Sequence, residues 1–341
     1  MILYVDQNAA KEGAVDHAGS VPLSAYPTLR AAIEAAPSDP EEPVEIRLAP
    51  GVYKEKLWIR RSHLTLIGTG ASPDDVVITY DDYATMLMED GTKRGTFRSY
   101  TLLLDGDDNR LEHITVENTS APRRKVGQAV ALYADGEHLI VKDCHLRSFQ
   151  DTLFTAPLPP KPMSAGGFTG PKEFDERKLG HHFYDNCVIE GDVDFIFGSA
   201  VAWFEHCRIV SLCSPELPAS EKAHPDICGY TTAASTPEGE PFGYVFHDCR
   251  FESEQCPENS VYLGRPWRDF AKTVLLECHL GAHIRREGFH DWGKPQAHDT
   301  ILYAEYKSSG PGASPETRAD FVKQLSDAQA AEYVREKVIG F

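Results

Sequence analysis

Four short stretches of this 341-residue chain carry side chains suited to chemistry. They are GQAVALY with Gln128, FQDTLF with Gln150 and Asp151, GDVDFIFGSA with Asp192 and Asp194, and YLGRPWRDF with Arg265 and Trp267. Two carboxylates in different electrostatic settings divide labour: one stays ionised as a nucleophile while the other holds a proton as an acid. Arg265 is the candidate partner for the first, because Pro266 holds it extended and a guanidinium grips a carboxylate through two parallel bonds. That assigns Asp194 to the nucleophile and Asp151 to the acid. A side-chain amide donates to a developing oxyanion, and Gln128 and Gln150 supply two. Taken singly, each of these polar residues also reads as a turn residue bonded to local backbone. Trp267 and Phe197 read as core as well as platforms for a ligand ring.

These residues need a scaffold that brings distant segments together. The segments HLIVKDCHL, HFYDNCVI, VAWFEHCRI, YVFHDCRF and TVLLECHL share one pattern: an apolar run, one or two polar residues, a cysteine, one more residue, then an aliphatic or aromatic residue. Their cysteines, Cys144, Cys187, Cys207, Cys249 and Cys278, lie 43, 20, 42 and 29 residues apart, and the first three gaps are close to multiples of 21. A period of that size in strand-like units signals a solenoid whose repeats bury their apolar sides only by stacking. The fold class expected is all-β, a right-handed parallel β-helix forming a single domain over 1–341. The five cysteines form an inward-facing ladder, with a Cys187–Cys207 disulfide across adjacent coils as the alternative.

Leu29, Ile33 and Ala36 at helical spacing, stopped by Pro37, predict a capping helix at the first end. At the other end Ser314 with Pro315, and Ser326 with Gln329, predict a helical tail over about 314–341 that protects the open edge. Residues 155–181, rich in Pro and Gly, read as an excursion from the cylinder near the cleft. Within the site, alternation along DVDFIFG sends Val193 and Phe195 to one face and Asp192, Asp194 and Ile196 to the other. Gln150 and Asp151 are neighbours, so both serve one site only if the backbone bends or bulges near 150–151.

Composition narrows the partners. A net charge of −18 argues against nucleic acid and anionic membrane, and the longest apolar runs are too short to cross a bilayer. The opening MILYVDQNAAKEG lacks a secretory pattern, so the chain reads as cytoplasmic, or secreted if a leader was removed. Eight cysteines without a CxxC, and His181, His182 and His279 read as surface or stacked residues, suggest no metal and no cofactor.

The motifs resemble those of the pectin methylesterases, or pectinesterases. YPTLRAAIEAAP, GVYKEKLWI, LTLIGTG, GQAVALY, FQDTLF, GDVDFIFGSA, YLGRPW and ILYAEYKSSGPGAS run in family order along nearly the whole chain. The resemblance implies hydrolysis of galacturonate C6 methyl esters without a cofactor. Asp194 would be the nucleophile, Asp151 the general acid and base, Gln128 and Gln150 the oxyanion donors, and Arg265 the residue that orients Asp194. Trp267 and Phe197 would contact the sugar. The expected partner is methyl-esterified homogalacturonan or its oligomers, met by a monomer. The 43-residue gap from Asp151 to Asp194 exceeds that of typical plant members, so an overhanging excursion would favour short oligomers. Esterase action on a different uronate or acyl ester, and a carbohydrate-binding β-helix without catalysis, stay open as alternatives. The motifs of pectate lyases and polygalacturonases do not account for this set.

Overall fold

A polar residue stands immediately before each repeat cysteine, and that position turns the chain. Asp143, Asn186, His206, Asp248 and Glu277 all have φ between 48° and 56°. This is the left-handed region, which Asp, Asn and His enter more readily than most side chains. One such residue ends a strand of the first sheet and launches a strand of the second, so the chain winds instead of running on. In a computed structural model that describes residues 1–9, 25–120, 126–213 and 226–341, the result is a parallel β-helix of three sheets with eleven, eight and seven strands. Every strand pairing within these sheets is parallel.

The cysteine ladder is present, and its spacing has a different cause from a 21-residue period. Strand His145–Arg147 pairs directly with Val188–Gly191, that with Arg208–Ser211, then Arg250–Glu252, then His279–Leu280. Each gap between cysteines is therefore one coil, and the long gaps are coils with excursions rather than two coils. All five sulfurs are buried free thiols. Each donates to a carbonyl of the preceding coil, as Cys187 does to Val141 at 3.3 Å and Cys249 to Phe204 at 3.4 Å. Burial pushes the Cys144 thiol up to about 12, and the five buried sulfurs serve as small apolar filler. Beside them Tyr184, Phe204 and Phe246 stack face to face at 4.6 and 4.5 Å.

The first end is closed by the helix Leu29–Ala35, whose Thr28 side chain caps Ala31 N at 3.1 Å and whose Leu29 is fully buried. The far end differs from expectation. Ser314 makes no side-chain cap, and 315–317 is a single 3-10 turn followed by an edge strand, Val322–Gln324. Arg318 explains why: its guanidinium turns inward to Glu305, with Nε 2.5 Å from Oε1, and also donates to the carbonyls of Arg285, Arg286 and Gly312. The Ser326–Gln329 capping box does form, on the short helix Asp327–Ala330. The last helix, Arg335–Ile339, does not cap the cylinder. Its Val338 and Ile339 pack with Val201, Trp203 and Val245 on the outside of the eleven-stranded sheet.

His182 also departs from the surface reading. It is fully buried, its Nε2 lies 2.9 Å from the Gly136 carbonyl oxygen, and burial lowers its pKa to about 4. His181 is partly exposed and paired with Glu137 at 2.8 Å, and His279 stands 3.5 Å from Ser309 Oγ.

Two outcomes follow. A histidine depressed from 6.5 to about 4 gives stability that is complete above pH 6.5 and lost as pH falls toward 4. The stability advantage of the parent over His182→Gln should therefore shrink by about 3 kcal/mol between pH 7 and pH 4 in urea titrations; a constant difference would contradict it. Glu305→Gln, which strands a buried guanidinium, should cost about 3 kcal/mol, and Glu305→Leu combined with Arg318→Met should recover most of that loss.

Candidate active site

The first carboxylate is presented by a defect in a strand. Within Val193–Gly198, Val193 pairs with Tyr230 and Ile196 with Thr232, so Asp194 and Phe195 together oppose one residue. This bulge, with Asp194 at φ 51°, breaks the expected alternation. Phe195 and Ile196 both enter the interior, Phe197 joins a second apolar cluster at the cleft, and only Asp194 of the expected Asp–Asp–Ile face reaches the site. Asp192 is buried and its Oδ1 accepts from Val193 N at 2.7 Å. Gly198 ends the bulged strand at φ 131°, where a Cβ would sit 2.0 Å from the Thr155 carbonyl oxygen.

The second carboxylate sits on a turn. Residues 149–152 lie between strands His145–Arg147 and Leu153–Thr155, with Asp151 at φ 66°. The turn is sewn to both neighbouring coils by main-chain bonds. Ala129 N donates to the Gln150 carbonyl (3.0 Å) and Ala131 N to that of Thr152 (2.9 Å) from one side, while Asp151 N donates to the Val193 carbonyl (3.1 Å) on the other. Ser148 Oγ adds a 2.7 Å bond to the Ala129 carbonyl. With the backbone committed, both the Gln150 and Asp151 side chains face the cleft. The bend that adjacency required is this turn.

Arg265 meets Asp194 through two parallel bonds, Nε–Oδ1 at 2.8 Å and Nη2–Oδ2 at 2.7 Å, with both side chains nine-tenths buried. The guanidinium is held between two rings, Tyr230 and Trp292, with its carbon 3.8 Å from each centroid. Those rings were not foreseen. Trp292 lies on a tight turn at φ 57° next to Gly293, and Tyr230 is one aromatic among many in the strands, so neither stands out by pattern. Main-chain bonds from Arg265 to Thr232 (2.9 Å) and from Trp267 to Ala234 (3.0 Å) fix the turn that carries them. Lys294 Nζ adds a 2.8 Å bond to the Pro266 carbonyl.

All seven sequence-derived residues, Asp194, Asp151, Gln128, Gln150, Arg265, Trp267 and Phe197, line one cleft of about 260 Å³. Phe197 and Trp267 stand 5.7 Å apart between ring centroids at its apolar end. The excursion supplies one wall through Met163, Ser164, Gly167 and Phe168. Phe168 is buried against Phe97 at 5.8 Å and Trp267 at 6.3 Å. At its root Lys172 Nζ binds Asp105 at 2.5 Å and Asp175 at 2.8 Å, with Asp135 at 3.5 Å, tying the excursion to two earlier coils. Burial pushes the Asp135 carboxyl up to about 6, against the pull of Lys172. The site can thus hold one carboxylate firmly, place a second nearby, and offer two amides to a polar group between them.

The family model described as pectinesterase matches residues 15–158 and 178–340. The interruption falls within the excursion. Pectinesterase 31 of Arabidopsis thaliana is 29% identical over 319 residues, covering 92% of this chain and 88% of that protein. The fold is similar to a solved pectin methylesterase in complex with a hexasaccharide, at a TM-score of 0.77 and 29% identity over 99% of this chain and 96% of that one. A pectin methylesterase from Erwinia chrysanthemi gives 0.76 and 28% over the same shares, and one from carrot 0.74 and 25% over 92% and 89%.

Replacing Arg265 by Lys puts a single ammonium where a planar fork fitted both a carboxylate and two rings. Arg265→Lys should lower unfolding free energy by about 2 kcal/mol in urea titration. A variant as stable as the parent would mean that the paired and stacked geometry contributes nothing to the fold.

Proposed function

The chain belongs to the pectinesterase family, and from that premise we propose that it hydrolyses the C6 methyl esters of galacturonate in methyl-esterified homogalacturonan or its oligomers, releasing methanol. The observation that carries the reading is the buried Asp194–Arg265 pair opening onto a cleft that also holds Asp151 and two amide side chains.

The geometry supports the roles that the family resemblance implies. Arg265 grips and aims Asp194, and its own mobility is limited by Tyr230 and Trp292. An oxygen of Asp194 attacks the C6 carbonyl carbon, and the negative charge that builds on the carbonyl oxygen is met by the amides of Gln128 and Gln150. As the tetrahedral species collapses, Asp151 gives its proton to the methoxy oxygen and methanol leaves. The galacturonyl carbon is now joined to Asp194 as an anhydride. Asp151, now a carboxylate, takes a proton from water as that water attacks the same carbon. Collapse frees Asp194 and leaves galacturonic acid, which loses its proton to solvent, while Asp151 keeps the proton taken from water for another cycle. The product carries a new negative charge beside Asp194, so electrostatic repulsion favours its departure.

Trp267 and Phe197 offer apolar faces to the sugar ring, and Phe168 of the excursion packs on Trp267 as a wall of the cleft. Short methylated oligogalacturonides are therefore the preferred substrates over long polymer.

Methanol release from methylated oligogalacturonides and from pectin tests the reading. The parent releases methanol, faster per ester from oligomers. Asp194→Asn, which keeps an acceptor for Arg265, loses at least about 10³-fold in kcat, and Gln150→Ala loses about 10²-fold. No methanol from the folded parent on either substrate would reject the assignment, and undiminished release by Asp194→Asn would reject the nucleophile.

A further inference from the structure

Five of the eight cysteines belong to the interior ladder; the other three do not, and they converge. Cys213 follows strand Arg208–Ser211, Cys228 precedes strand Gly229–Ala234, and Cys256 lies in the turn after Arg250–Glu252. Their sulfurs all lie within 4.8 Å of one another, with Cys213 and Cys228 at 3.1 Å. We propose that Cys213, Cys228 and Cys256 form a binding site for a thiophilic d10 cation such as Zn2+, with the fourth coordination position open to water.

The dimensions fit. Three thiolates about 2.3 Å from a tetrahedral ion lie roughly 3.8 Å from one another, so the triad needs to adjust by less than about an ångström. Cys213 and Cys256 are partly exposed residues, which gives the ion a path in. On binding, each thiol that ligates releases its proton to solvent and no electrons move. A disulfide between Cys213 and Cys228 would use only two of the three sulfurs.

The placement gives the ion a structural role. Cys228 lies two residues before Tyr230, one of the two rings that hold Arg265. The ion would join the entry to that strand to the exit of the preceding strand of the same coil, through Cys213, and to the next coil, through Cys256, stiffening the base of the site without touching substrate.

The test uses the whole chain, reduced with a phosphine and kept free of oxygen. Titration with Co2+ should give intense near-ultraviolet sulfur-to-cobalt absorption that saturates at one equivalent and is displaced by Zn2+. Zn2+ at one hundred times its dissociation constant should raise the melting temperature by several degrees. Cys228→Ser and Cys256→Ser should each abolish the band, while Cys144→Ala, in the ladder, should keep it. Absence of the band from folded parent protein overturns the proposal. So does a persistent band in Cys256→Ser, or a thiol count that falls from eight to six in air with no Zn2+ retained, which would identify a disulfide instead.

Discussion

The structure depends on one backbone event: a residue held at positive φ between a strand of the eleven-stranded sheet and a strand of the eight-stranded sheet. Without that corner each apolar segment would run on as an extended strand with no interior to enter. With it, consecutive coils place a cysteine at the same angular position, and sulfur, aromatic and aliphatic columns form along the axis. The cost of the left-handed conformation is modest for Asp, Asn and His, and it is offset by the burial of a whole coil against its neighbours. The polar residue before each cysteine is therefore a steric requirement, and the cysteine after it is the compact side chain that fits inside the bend.

The two cleft carboxylates use the same device for another end. Asp151 and Asp194 are themselves at positive φ, one on a turn and one on a bulge, side by side at the N-terminal ends of adjacent strands in the seven-stranded sheet. A regular strand would bury these side chains or point them to opposite faces. The left-handed residue rotates each carboxylate out of the pleat while its backbone stays bonded to the coils above and below. A carboxyl group in this half-dry setting needs a partner, and Arg265 between Tyr230 and Trp292 supplies one that has little freedom to move away.

Much of this was legible in the residues. The polar-residue–cysteine pairs announced coils, the N-terminal helix was readable from Leu29, Ile33 and Pro37, and the motif set located all seven cleft residues. What was not legible depended on pairing between coils. The bulge at Asp194 exists because of what Tyr230 and Thr232 do on the next coil, so alternation along DVDFIFG misplaced Ile196. The apparent 21-residue period arose because excursions of different lengths interrupt coils that are each complete. Ser314 and Pro315 had the pattern of a helix start, but the buried Arg318–Glu305 pair draws that segment along the end of the cylinder. The cysteine triad has no spacing signature, since Cys213 and Cys228 meet between two strands of one coil and Cys256 joins them from the next.

The excursion over 156–180 leaves from strand Leu153–Thr155 and returns at strand His181–Asp185, both fully in register with their neighbours. The same corner is turned by four residues one coil earlier, between Ala134 and Leu139, and by twenty-five here. Because both ends are already fixed by the ladder, loop length is nearly neutral for the fold: each doubling costs only about 0.6 kcal/mol of closure entropy. The wall of the groove is thus a replaceable cassette. A lineage could lengthen, trim or exchange it, and so retune which polymers enter, while the chemistry beneath is inherited unchanged.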